Sequence, residues 1–139
     1  MATEREYNPC FEAWTERILE EFFAKGDIEM SLWDQIIEFN DEYFPGWRDN
    51  RELIFFSNAL AGEVGEICNK VKKLYGGGTN KNSPSKTDMI FEAVDVYIYL
   101  VLFLEAFEVD ENIFCSAFAE KMRINKERMI QRSLSTEDQ

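Results

Sequence analysis

The stretch Val96–Leu104 (VYIYLVLFL) constrains this chain more than any other feature. As a helix it is apolar on every side, so it must be covered all round. It is too short for a membrane span, which needs about 20 apolar residues. Glu92, Asp95 and Glu105 also bracket it closely. It reads as the buried helix of a soluble domain. A chain of 139 residues supplies only four or five helices. Part of the cover is therefore expected from a second copy of the chain.

The rest of the sequence follows the same period. Phe11, Trp14, Ile18 and Phe22 step along one face of a helix ending near Lys25-Gly26. Ser31 is an N-cap for a second helix, with Leu32, Ile36, Phe39 and Tyr43 on one side, and Pro45-Gly46 then turns the chain. A third helix is expected from about Asn50 to Leu74, with Leu53, Leu60, Val64, Ile67, Val71 and Leu74 as its apolar stripe. Residues 75–87 read as a loop, and Thr87 or Asp88 as the cap of a fourth helix reaching Phe107. Asp110 or Asn112 starts a fifth, from Ile113 to about Gln131, followed by a polar tail. Strand alternation and hairpin signals are absent. The expected fold is all-α: one domain over residues 1–139, an antiparallel helix bundle with a four-helix core plus an N-terminal helix, oligomeric.

Composition excludes much of catalysis. The chain has no histidine, which removes Ser-His-Asp triads, Cys-His pairs, HExxH zinc sites and Glu-x-x-His di-iron bundles. Its net charge of −12 argues against binding nucleic-acid polymers or anionic membranes. Cys10, Cys68 and Cys115 form no CxxC and no disulfide framework, and Met1–Pro9 lacks the apolar core of a secretory signal. Both fit a reducing, cytoplasmic setting.

What remains is carboxylate chemistry. Glu63 and Glu66 lie three apart, so they share one helix face, and Glu92 and Asp95 repeat that geometry on the next helix. Both pairs sit in apolar sequence, and Gly62 and Gly65 stand mid-helix, where each costs about 1 kcal/mol relative to Ala. Such glycines are expected where something approaches the backbone closely. Four facing carboxylates repel unless a cation joins them, and all-oxygen ligation points to Mg²⁺ or Mn²⁺ before zinc. A single E-x-x-E arises readily by chance in an acidic helical chain; two on successive helices are more specific.

Basic residues cluster elsewhere. Residues 67–87 hold Lys70, Lys72, Lys73, Lys81 and Lys86 with no acidic residue among them. Lys121, Asn125 and Arg128 fall on one face of the last helix. Metal-holding carboxylates flanked by such groups are what phosphate chemistry calls for. Gly76-Gly77-Gly78 is not followed by Gly-Lys-Ser/Thr and reads as a flexible loop. Trp47 and Tyr99 are aromatics that either pack in the core or stack on a base.

LAGEVGEICNKVKKL, followed by FEAVDVYIYL and KMRINKERM, resembles the MazG-like all-α nucleoside triphosphate pyrophosphohydrolases. That family's E-x-x-E, spacer, E-x-x-D signature is matched by Glu63, Glu66, Glu92 and Asp95, with 25 residues between Glu66 and Glu92. The resemblance spans roughly Trp33 to Met129, and the small phage and bacterial members look closest. It implies a four-helix core assembled as a homodimer or homotetramer, with active sites near the subunit interface. It also implies Mg²⁺-dependent cleavage of a (deoxy)nucleoside triphosphate at the α–β anhydride, giving monophosphate and pyrophosphate. In that reading Glu63, Glu66, Glu92 and Asp95 hold metal, and Glu63 or Glu66 positions the attacking water. Lys73, Lys121, Asn125 and Arg128 meet the phosphates, and Trp47, Asn69 and Tyr99 line the nucleoside pocket. The chain departs from the pattern at Gly62, where many members carry a further Glu. Two other readings are a non-catalytic helical module binding divalent cations or nucleotides, and a phosphoribosyl-nucleotide pyrophosphohydrolase on the same fold.

Overall fold

The Ser31 hydroxyl accepts a hydrogen bond from the Asp34 backbone N–H, which starts the first described helix where the sequence places it. The computed structural model describes residues 30–75 and 83–137, together with Ala13, Glu16 and Arg17. The expected N-terminal helix and the Gly76–Gly78 loop lie mostly or wholly outside the described residues. Within them the chain is all-α, with α1 over Leu32–Tyr43, α2 over Leu53–Tyr75, α3 over Lys86–Ala106 and α4 over Glu111–Glu137. There is no strand among the described residues, and no described helix is long and apolar enough to cross a membrane.

Several boundaries differ from the sequence reading, α2 beginning at Leu53 rather than near Asn50. The cap of α3 is Ser85, not Thr87 or Asp88. Asp88 instead closes a capping box, accepting from the Ser85 N–H at 2.7 Å while the Ser85 hydroxyl accepts from the Asp88 N–H. Asp88 is held below the usual carboxylate range by the Ser85 backbone and hydroxyl hydrogen bonds, against a small opposing effect of burial. At the other end α4 runs on to Glu137, through the segment expected to be a tail. Its start is capped by Asp110, whose Oδ1 accepts from the Ile113 N–H.

The turn between α1 and α2 depends on Gly46. Its φ of +76° suits glycine, and a Cβ there would lie 2.7 Å from the Asn50 side chain. The turn is tied to its neighbours by Asp41, which accepts from Trp47 Nε1 at 2.8 Å and from Arg48 at 2.7 Å. Those bonds, the Trp47 one first, keep Asp41 ionised below the ordinary range. Arg48 also reaches Glu105 on α3 at 3.6 Å, and Trp33 Nε1 donates to Glu105 at 2.6 Å. A short polar network thus clamps α1 and the turn to the end of α3.

The core sits at that end. Trp47, Phe56 and Leu102 form one buried cluster, with Ile36, Ile98 and Phe103 packed against it. Trp33 and Val101 are buried as well. Paired positions run in opposite chain order (Phe56 near Leu102, Lys70 near Glu92), so α2 and α3 are antiparallel. The apolar stripes are less covered than their spacing suggests. Leu32, Phe39 and Tyr43 are exposed on α1, which buries Trp33 and Asn40 instead. Val64, Val71 and Leu74 on α2 are exposed too. Among the described residues nothing approaches Gly62 or Gly65 closely, since a Cβ at either would meet no atom of the chain within 4 Å.

Candidate functional site

The antiparallel packing of α2 on α3 turns two linear motifs into one cluster. Glu63 from α2 and Glu92 and Asp95 from α3 each bring a carboxylate oxygen to within 4.8 Å of the other two. Oxygens ligating one divalent cation at about 2.0–2.6 Å lie at such separations, and an all-carboxylate donor set suits a hard ion. Residues and group therefore fit. Glu63 is pushed above its ordinary value, first by burial and then by repulsion from Asp95, Glu92 and Glu66. Like-charge crowding of this kind is what a bound cation relieves.

Glu66 has a different place. It is exposed, and with Asn69, Lys72 and Lys73 it borders a surface depression of about 410 Å³. Three of the four motif carboxylates converge, and the fourth stands beside them facing solvent. Lys70, one turn beyond Glu66, crosses to α3 and donates to Glu92 Oε1 at 2.5 Å. That hydrogen bond raises the lysine above its ordinary value despite some burial, and Asp88 and Glu66 add to the effect.

An apolar groove of about 740 Å³ runs between α1 and α3 and reaches the cluster at Asp95. Phe39, Asn40, Phe44 and Tyr99 line it. Tyr99 is thus half-buried on the groove wall, one turn from Asp95. Trp47 is 3% exposed and stacked edge-on against Phe56, with its indole N–H used by Asp41, so it sits in the core.

Lys121, Asn125 and Arg128 are exposed on α4. Among the described residues no hydrogen bond or ion pair engages them. Contacts that tie α4 to the other helices lie at its start, where Glu111 accepts from Ser31 and Phe114 packs on Trp33.

Two residues gain importance from the structure. Asn40 is buried, with its amide donating to the Ile36 carbonyl at 2.9 Å, on the wall of the groove. A polar residue one turn after Ile36 on the inward side of α1 was the available signal. Lys70 continues the Glu63–Glu66 stripe, but only the α2–α3 packing shows that it spans to Glu92. No family model, no curated protein and no solved structure matches this chain.

Proposed function

We propose that this protein is a nucleoside triphosphate pyrophosphohydrolase that cleaves (deoxy)nucleoside triphosphates between the α and β phosphates. The observation that carries the reading is the convergence of Glu63, Glu92 and Asp95 from two helices into one set of oxygen donors. The MazG-like resemblance of the same residues supplies the reaction class.

In this reading Glu63, Glu92 and Asp95 hold Mg²⁺, with Mn²⁺ as a substitute, and Glu66 completes the acidic rim. Bound there, the ion would neutralise charge on phosphate oxygens and lower the pKa of a coordinated water. Glu63 or Glu66 would position the attacking water and take its proton. The water oxygen forms a bond to the α phosphorus, the bond to the bridging oxygen breaks, and pyrophosphate leaves. Lys73, which borders one depression with Glu66 and Asn69, would neutralise the phosphates. The groove beyond Asp95, with Tyr99 on its wall, accommodates the nucleoside. A four-helix core completed by a second copy, as homodimer or homotetramer, would cover the exposed apolar stripes of α2 and α4. It would also bring Lys121, Asn125 and Arg128 of one copy to the carboxylates of another.

One observation favours a second reading, a module that binds cations or nucleotides without turnover: Lys70 already neutralises Glu92. Pyrophosphate release from a panel of ribo- and deoxyribonucleoside triphosphates, with Mg²⁺ and with EDTA, separates the two. Mg²⁺-dependent release of monophosphate and pyrophosphate is expected. A folded protein that binds Mg²⁺ and releases none would establish the module reading instead.

A further inference from the structure

Glu92 is shared between two partners. Its Oε1 accepts from Lys70 across the α2–α3 contact, with 23% of the lysine and 17% of the glutamate side chain exposed. The same carboxylate contributes to the cluster with Glu63 and Asp95. We infer that Lys70 is a built-in counter-ion that competes with the divalent cation for Glu92 and so sets the cation concentration at which the site fills. The inference rests on the reading of these carboxylates as a cation site.

Cation binding can meet Lys70 in two ways, and both weaken it. If the cation takes both oxygens of Glu92, it weakens or displaces the charge-assisted hydrogen bond of Lys70 in a half-buried position. If Lys70 stays on one oxygen, its positive charge remains within a few ångströms of a dication, where salt screens only partly. Either way the lysine weakens cation binding. It also has a benefit before the ion arrives, since it offsets the repulsion among Glu63, Glu92 and Asp95. A lysine suits this exchange better than an arginine, having a compact charge on a flexible four-carbon stem rather than a fork that locks onto a carboxylate. Once displaced, Lys70 stays on the stripe of α2 that carries Glu66 and Lys73. There its charge becomes available to an anionic ligand of the filled site.

The test is Mn²⁺ binding to the full chain without nucleotide, followed by the electron paramagnetic resonance of the free ion. Lys70→Met and Lys70→Gln are each expected to bind Mn²⁺ about tenfold tighter than the unmodified protein. Lys70→Arg keeps the charge and is expected to bind no tighter. Mn²⁺ should also raise the melting temperature more in Lys70→Gln than in the unmodified protein, because the uncompensated carboxylates gain more from the ion. Equal or weaker binding by folded Lys70→Gln overturns the inference and leaves the cation site standing. No Mn²⁺ binding by the unmodified protein, or binding indifferent to Glu63→Gln, overturns the cation-site reading and the inference with it.

Discussion

The α2–α3 pair and α4 carry two halves of the same expected chemistry, and the chain treats them differently. Along α2 and α3 an antiparallel contact closes a core at one end, around Phe56 and Leu102, and gathers three carboxylates further along. Among the described residues, α4 meets the other helices through its first turns, at Glu111 and Phe114, and from Cys115 to Ser135 every residue except Ile124 is exposed. Phe118, Met122, Met129, Ile130 and Leu134 are among them. Acidic side chains that repel are held together where helices pack, whereas Lys121 and Arg128 lie exposed on α4. The carboxylate cluster is thus formed by the single chain, and under the proposed function α4 would contribute from a neighbouring copy.

The largest effects should separate these halves most sharply. Glu63→Gln and Asp95→Asn are expected to reduce Mg²⁺-dependent pyrophosphate release by about a thousandfold or more while leaving the helical circular dichroism intact. Normal rates in either variant would remove these carboxylates from the mechanism. Arg128→Ala should also lose activity if α4 serves a neighbouring copy, and mixing it with Glu63→Gln should then restore turnover in the hybrid. Absence of any recovery would mean that α4 does not act between copies.

Packing provides the next contrast. Phe56→Ala is expected to cost about 3–5 kcal/mol in denaturant unfolding. Phe118→Ala, on the open face of α4, should shift stability by under about 0.5 kcal/mol at concentrations where the protein is monomeric. A large loss at Phe118 under those conditions would show that α4 is covered. Gly62→Ala and Gly65→Ala probe the same question on α2. With nothing within 4 Å of either new Cβ, each should stabilise the helix by about 1 kcal/mol. Destabilisation would reveal a neighbour pressed against that face. Ser85→Ala, which removes the cap of α3, should cost about 1 kcal/mol.

The smallest effect is one of pH. The Glu63 carboxyl is raised above its ordinary value of 4.5 by burial and by its acidic neighbours. Its protonated form therefore favours folding, a contribution fully present below the ordinary value and lost as pH rises through the raised one. The stability of the unmodified protein relative to Glu63→Gln should fall across that window. A flat difference between the two unfolding curves would show that Glu63 is not crowded by charge.

Helix content and the pairing of acidic residues were legible from spacing. The Ser31 cap, the helical run through Glu63 and Glu66, and the run through Glu92 and Asp95 all follow from local rules, because a helical turn brings positions three and four apart together regardless of the rest of the molecule. Which face turns inward was not legible in the same way. On α1 the spacing of Leu32, Phe39 and Tyr43 is as regular as that of the residues actually buried, and only distant neighbours such as Glu105 and Phe114 at Trp33 decide which side turns inward. Local competition also misplaced the start of α3, since Ser85 and Thr87 are both capable caps and the reciprocal bond to Asp88 selects Ser85.

The sequence by itself determined an all-helical chain whose only dense chemistry is carboxylate and lysine, since residue type and helical period do not depend on distant contacts. Tertiary structure decided that Glu63, Glu92 and Asp95 meet while Glu66 faces solvent, that Lys70 reaches Glu92, and that Trp47 belongs to the core. Those outcomes depend on the register of α2 against α3. That register follows from how Phe56, Leu102 and Trp47 fill space together, a property of packed side chains that no single helix carries.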